Sequence, residues 1–315
     1  MEAPSEPTTD RHIAVSMLIV LGTTGFLVNL FAIYGIKKST TFGASFGRLC
    51  ISQCLGNCSN CATAAFIVGT ITLVKPEFHT TYWGARSAQL LTFFFYGDFF
   101  SHFFAALNRL CAIRFPIKYA VLFSPRNTNI ALALCWLCAA IEATPKFFSD
   151  CMIYFDVNSL GTTFTSTACN SFMEIYFNFY LDLAFNAMIF LCDVFTLVNL
   201  RSATKHNTHS TELKKKKFQQ DVRFFFQTLC QAAVGFIEVL CFFVFSNMVE
   251  SRFAKFMLTT FAWMLQQTLD GAMIIFFNKE LRSIRLKITV VSVPSAKFGQ
   301  STQEARRPPQ MSDIL

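Results

Sequence analysis

Seven windows of this chain are about long enough to cross a lipid bilayer and are nearly empty of charge. Residues 13–36, 49–74 and 127–141 contain no Asp, Glu, Lys or Arg, and the last continues through Glu142 toward Pro145. Residues 87–107 contain Asp98, 175–200 contain Asp182 and Asp193, 224–249 contain Glu238, and 256–278 contain Asp270. A helix needs about 20 consecutive apolar residues to span hydrocarbon, where no water can satisfy an open backbone. The windows recur near that length and are apolar on every side rather than along one stripe, unlike the helices of a soluble core. The expected fold class is an all-α membrane protein, a bundle of seven transmembrane helices. Only 15% of the 315 residues are charged. That is too few to cover a soluble globule, and the apolar content is too high for disorder. A soluble enzyme is excluded on the same ground, and the sequence has no HExxH, GxSxG or phosphate-binding loop.

Charge sidedness gives an orientation, because inner loops carry the excess of Lys and Arg. With the N-terminus outside, only Arg11, Lys75, Arg86, Lys146, Arg252 and Lys255 of the 27 bases fall on the outer side. The chain therefore reads as N-terminus outside and C-terminus inside. The first span is too long for a signal-peptide core and precedes Lys37 and Lys38, so it reads as an uncleaved anchor. The expected division is a short extracellular N-terminus at 1–12, a seven-helix domain at 13–288, and a disordered cytoplasmic tail at 289–315. Residues 278–288 alternate bases with Leu281, Ile284, Leu286 and Ile288, the pattern of an amphipathic eighth helix on the inner leaflet. The run Lys214, Lys215, Lys216 and Lys217 suits either an anchor on anionic membrane lipid or a dock for an acidic protein. Nucleic acid is not an expected partner of such a loop. Cys151 and Cys169 are the only cysteines in an outer loop, an oxidising compartment, and are expected to be bridged. The others sit mostly in spans as small packing residues, and no metal site is expected.

One stretch carries more than patterning. Residues 108–119 read NRLCAIRFPIKY, with Pro116 seven residues after Arg109 and Tyr119 three after that. This resembles the end of the third helix in rhodopsin-like G-protein-coupled receptors (GPCRs), where an acid and an Arg are followed by Pro and Tyr at those spacings. Asn108 stands in for the acid and Leu110 for the motif's first Tyr. Gly25 and Asn29 match the first-helix GxxxN, Trp136 the fourth-helix Trp, and Trp83 with Gly84 the first outer-loop motif. Asp270 and Gly271 occupy the place of the seventh-helix (N/D)PxxY, with Gly for Pro and Ile274 for Tyr. The strings GRLCIS, NRLCAIRFPIKY, VRFFFQ and DGAMIIFFNKELR resemble the nematode serpentine chemoreceptors, most of all class Srx, over roughly 13–288.

The resemblance implies a chemosensory GPCR of the plasma membrane, in a sensory cilium, that detects an external small molecule or peptide and activates a heterotrimeric G protein. Asn108, Arg109, Pro116, Tyr119, Lys214, Lys215, Lys216 and Lys217 would form the coupling end. Lacking a charge, Asn108 is expected to hold Arg109 loosely and so to raise basal activity. A non-sensory peptide or neurotransmitter receptor of the same fold is the first alternative. A transporter or channel would require paired repeats, a broken helix or a filter, and none is visible. Leu91 stands where aminergic receptors carry their amine-binding Asp, Met264 where opsins carry the retinal Lys, and Gly84 where the third-helix Cys belongs. The sixth span has no Pro, so the family's activation hinge does not carry over.

Acids inside spans are costly and are functional candidates by default. Asn29, Asn57, Asp98 and Asp270 map to the polar core that binds Na⁺ in many rhodopsin-like receptors. They suit either an ion or proton cluster or a neutral hydrogen-bonded network. Asp182 and Asp193 share a helix face, being nearly three turns apart. With Glu238 they either meet ligand and water in the bundle or hydrogen-bond between helices. The Phe-rich run at Phe93, Phe94, Phe95, Phe99, Phe100, Phe103 and Phe104 favours apolar contacts, some of them with lipid.

Overall fold

The computed structural model describes residues 6–206 and 212–284. Seven long helices dominate it. They are α1 (Glu6–Lys38), α2 (Ala44–Val74), α3 (Tyr82–Arg114), α4 (Pro125–Ala143), α5 (168–206), α6 (Glu212–Phe243) and α7 (252–277). The first six are long and apolar enough to cross a membrane. Helix α7 carries Gln266, Gln267 and Asp270 in its middle, and all three are buried. The helices overrun the apolar windows because hydroxyl caps fix their starts outside them. Thr81 accepts the Gly84 N–H, Ser124 that of Asn127, Thr167 that of Asn170 and Ser251 that of Ala254.

Helix α3 runs through the centre and packs on α2, α4, α5 and α6; α1 packs on α2 and α7, and α6 on α5 and α7. Burial is inverted relative to a water-soluble protein. Asn29, Asn57, Asp98, Asp193 and Asp270 are at most 2% exposed, whereas Val20, Leu27, Ile141, Phe190, Val198 and Phe276 are more than half exposed. An apolar belt around a polar interior is the arrangement that hydrocarbon selects. The Phe run of α3 largely faces neighbouring helices. Phe93 and Phe94 pack on Trp136 of α4, while Phe99, Phe100 and Phe103 pack on Phe185 of α5.

The two ends of the bundle differ. One, the basic end, gathers Lys37, Lys38, Arg114 and Arg223. There the short helix Pro116–Leu122 joins α3 to α4, and the short helix Lys279–Arg282 follows α7. Leu281 is fully buried against α1, so this segment packs into the bundle edge. The rest of the expected eighth helix, 285–288, and the tail at 289–315 lie outside the described residues. Glu280 accepts hydrogen bonds from Ser39, Thr41 and Thr40, which hold its carboxyl below the usual range.

The opposite end carries a β-hairpin that the sequence pattern did not reveal. Strands β1 (Ile153–Asp156) and β2 (Gly161–Phe164) pair antiparallel, with Ile153 opposite Phe164 and Asp156 opposite Gly161. The Asp156 carboxylate accepts the N–H groups of Asn158 and Ser159 and so shapes the turn. Leu160 is buried against Ala14 and Phe256, and its carbonyl accepts from Thr260 of α7. Beside the hairpin, His79 is fully buried, bonded to Thr72 and packed on Phe155; burial lowers its imidazole to about 4. Helices α2, α5 and α7 each contain wide π-helical turns in the half nearest this hairpin, at Thr63–Val68, Met173–Tyr180 and Met257–Phe261. Such turns often mark functional sites.

Candidate functional site

The sequence candidates fall into three places along the bundle. At the basic end, Arg109 closes the buried part of α3. Its guanidinium lies 3.4 Å from the ring centre of Phe46 on α2 and 4.6 Å from that of Phe224 on α6. Its Nη1 is 3.5 Å from Asp221 Oδ1, also on α6. The arginine is only 5% exposed, so these contacts act in a partly dehydrated setting, where charge pairing and cation–π attraction are strongest. Asp221 was not singled out from sequence, where it is a lone acid between the bases Lys217 and Arg223. Its position just before the VRFFFQ string, at the start of the sixth span, was the available signal.

Asn108 does something other than expected. Its amide is fully buried and exchanges hydrogen bonds with the Tyr119 hydroxyl at 3.3–3.4 Å, linking α3 to the short helix that Pro116 begins. Arg109 therefore does not depend on Asn108 for its anchor. The reading that a missing acid leaves Arg109 loose is corrected, because Asp221 supplies the acid from another helix. Tyr119 stacks on Phe123, and Pro116 is exposed. Lys216 is exposed on α6; the side chains of Lys214, Lys215 and Lys217 lie outside the described residues.

Midway along the bundle, the polar core draws α1, α2, α3, α6 and α7 together. Asn29 donates to the carbonyls of Gly25 and Gln267. Gln231 donates to the Asp270 carbonyl and Gln266 to its Oδ2. A Cβ at Gly271 would sit 2.5 Å from Asn29 Oδ1, so glycine is what lets α7 approach α1 here. Asp98 and Asp270 are close enough to sense each other's charge. Oδ1 of Asn29, Asn57, Asp98 and Asp270 are all buried without a hydrogen-bond partner. Four buried oxygens without partners, two of them carboxylate, are the donor type that a small hard cation takes. Asp193 is separate from this core: it accepts from Thr228 and ties α5 to α6.

Below the hairpin lies a small open cavity of about 70 Å³. Helix α3 contributes Thr92, Phe95 and Tyr96, and α5 contributes Asn178 and Asp182. Glu238, Phe242 and Phe243 come from α6 and Trp263 from α7, while Ile153, Thr162 and Phe164 of the hairpin form the roof. The Tyr96 hydroxyl donates to the Phe177 carbonyl at 2.9 Å and lies 3.1 Å from Asn178 Oδ1, which places it in the wall. Lys146 and Glu142, both buried, pair with each other at the end of α4. The structure thus separates Asp182, which lines the cavity, from Asp193, although one face of α5 carries both.

Cys151 and Cys169 are disulfide-bonded, with Cα atoms 5.3 Å apart, and the bond joins the base of the hairpin to the start of α5. Asn170 reinforces this link by donating to the carbonyls of Met152 and Thr165. Replacing Cys151 with Ser is expected to cost about 3 kcal/mol for a loop of this length. That loss should appear as a lower thermal unfolding midpoint in lipid nanodiscs. An unchanged midpoint would mean that the hairpin is held by its hydrogen bonds alone.

The comparisons with known proteins agree with this geometry. The sequence profile described as "Serpentine type 7TM GPCR chemoreceptor Srx" matches residues 19–278. Serpentine receptor class X 45 of Caenorhabditis elegans is 26% identical over 296 residues, covering 87% of this chain and 80% of the relative. Serpentine receptor class X-43 of the same organism is 24% identical over 304 residues, covering 92% and 91%. Melatonin receptor type 1B-B of Danio rerio matches a shorter stretch, 36% identical over 70 residues, covering 22% of this chain and 20% of that one. Among solved structures, squid rhodopsin superposes with a TM-score of 0.70 at 12% identity, covering 90% of this chain and 85% of that one. That likeness gives the GPCR fold, in which α7 is the seventh membrane helix, and the family and fold are those of receptors rather than enzymes. An apolar seven-helix bundle with a buried arginine at one end, matched by that profile over most of its length, belongs to the Srx family of serpentine seven-transmembrane chemoreceptors.

Proposed function

We propose that this protein is a chemosensory receptor of the plasma membrane, placed in a sensory cilium by its class, that binds an external small molecule or peptide and activates a heterotrimeric G protein. The hairpin end faces outward and the basic end faces the cytoplasm, the orientation that the distribution of Lys and Arg favours. One observation carries the reading: α6 walls the cavity with Glu238 at one end and holds Arg109 through Asp221 and Phe224 at the other. A ligand that prefers one packing of α6 over another shifts the population of the two packings. The shift alters the hold on Arg109 and frees the basic end for its partner. Tyr119, Pro116 and the Lys214–217 run frame the surface on which that partner docks, and the buried Asn108 supports Tyr119 from beneath. The test is expression with a promiscuous G protein and a screen of small molecules and peptides. Ligand-evoked reporter signal that disappears in Arg109→Ala supports the reading. Ligand-evoked current that needs no G protein would overturn it.

The polar core adds a regulatory element to this proposal. Asp98 and Asp270, with the amide oxygens of Asn29 and Asn57, would hold Na⁺ between α1, α2, α3 and α7. The bound cation would supply charge balance for two buried carboxylates and favour the closed packing. Exchanging Na⁺ for N-methylglucamine is expected to raise basal signalling severalfold in the wild type and to leave Asp98→Asn unmoved. Equal sodium dependence in both would exclude the site.

A further inference from the structure

Asp182 and Glu238 put two carboxylates on the wall of one aromatic cavity, and neither is paired with a basic side chain among the described residues. Lys146, the base that acts on Asp182, is committed to Glu142. Asp182 is 5% exposed and its Oδ1 has no hydrogen-bond partner; Glu238 is 9% exposed. An unpaired acid in a bundle interior is costly when ionised, and a bound cation offsets that cost. Around them stand Phe95, Phe242 and Trp263, whose π systems attract cations. Trp263 Nε1 is itself buried without an acceptor.

We infer that the cavity binds a small organic cation, a protonated amine with an aromatic or aliphatic body. Its ammonium sits between Asp182 and Glu238, and its body packs against Phe95, Phe242 and Trp263. The inference rests on the proposal that this cavity is the ligand site. The counter-ions come from α5 and α6 rather than from α3, where the corresponding position is the buried, apolar Leu91. Amine binding therefore draws α5 and α6 together at the hairpin end, and α6 carries Asp221 at its other end.

The test uses the full chain in nanodiscs and a panel of benzylamine, phenethylamine and short alkylamines, each beside the alcohol of matching shape. Amines are expected to raise the thermal unfolding midpoint at concentrations at least tenfold below those their alcohols need. Asp182→Asn and Glu238→Gln should each weaken the amine effect at least tenfold and leave the alcohols unchanged. Glu238→Lys places a tethered ammonium beside Asp182, so it should abolish the amine effect while the protein keeps its wild-type midpoint or exceeds it. No stabilisation by any amine, equal stabilisation by alcohols, or an amine effect that survives both isosteric substitutions would overturn the inference. The same panel read through a G-protein reporter separates the two claims. Activation by alcohols but not amines keeps the receptor reading and overturns this one. Stabilisation by amines, with neither activation nor suppression of reporter signal and no signal that depends on Arg109, keeps this one and overturns G-protein coupling.

Discussion

Replacing Asp221 with Asn is expected to raise unstimulated G-protein activation roughly tenfold, the factor that about 1.4 kcal/mol moves in a two-state equilibrium. The size follows from the setting of the Arg109–Asp221 pair. The side chains are 6% and 20% exposed and 3.5 Å apart. A fully exposed pair is worth about 0–1 kcal/mol and breaking a buried one costs about 3–5 kcal/mol, so a partly buried pair falls between. Phe46 and Phe224 still hold the guanidinium in the variant, which keeps the effect below the fully buried limit. Because Asn keeps the shape of Asp, folding and surface delivery should be unaltered. Arg109→Ala removes the same pair, yet it should abolish signalling rather than raise it, since the group that engages the partner is gone. Opposite outcomes from two partners of one ion pair distinguish a latch from a structural bridge.

Gly84→Val is expected to prevent folding and delivery to the cell surface. A Cβ at position 84 would lie 1.7 Å from the Phe78 carbonyl oxygen and 2.9 Å from the His79 Cα. These are backbone atoms of the short 3₁₀ turn Pro76–Thr80, so no side-chain rotation relieves the clash. The first turn of α3 would have to move away from that turn, losing the Thr81 cap on the Gly84 N–H and disturbing the buried His79. Loss of a helix cap alone costs about 1 kcal/mol, and displaced core packing adds about 1–3 kcal/mol more. Gly84→Ala should be defective in the same direction, since the clash is with Cβ itself. Normal surface amounts of both variants, measured by antibody against an N-terminal tag, would show that α3 starts elsewhere.

Much of the bundle was legible because lipid imposes a simple rule on composition. Charge-poor windows located all seven helices, and the spacing of Arg109, Pro116 and Tyr119 pointed to the basic end. What escaped was information held between elements rather than along them. Asp221 looks like any charge in a basic stretch until α6 brings it to Arg109. Asp182 and Asp193 share a face, but 11 residues of helix separate them by about 16 Å, enough to put one in the cavity wall and the other against Thr228. The hairpin strands IYFD and GTTF are four residues each, too short to show a period, and their pairing is secured by a disulfide and by contacts with α7. The helix ends were misjudged by several residues because apolar windows mark what lipid covers, whereas caps such as Thr81 and Ser124 mark where the helix begins.

The central claim is that α6 transmits the state of the cavity to Arg109. It is tested most directly by guanine-nucleotide exchange on a purified heterotrimer, driven by the receptor in nanodiscs. The account predicts slow exchange with the wild type, roughly tenfold faster exchange with Asp221→Asn, and return to the receptor-free rate when Arg109→Ala is added to that variant. Exchange that Asp221→Asn leaves unchanged, or that persists without Arg109, would contradict it.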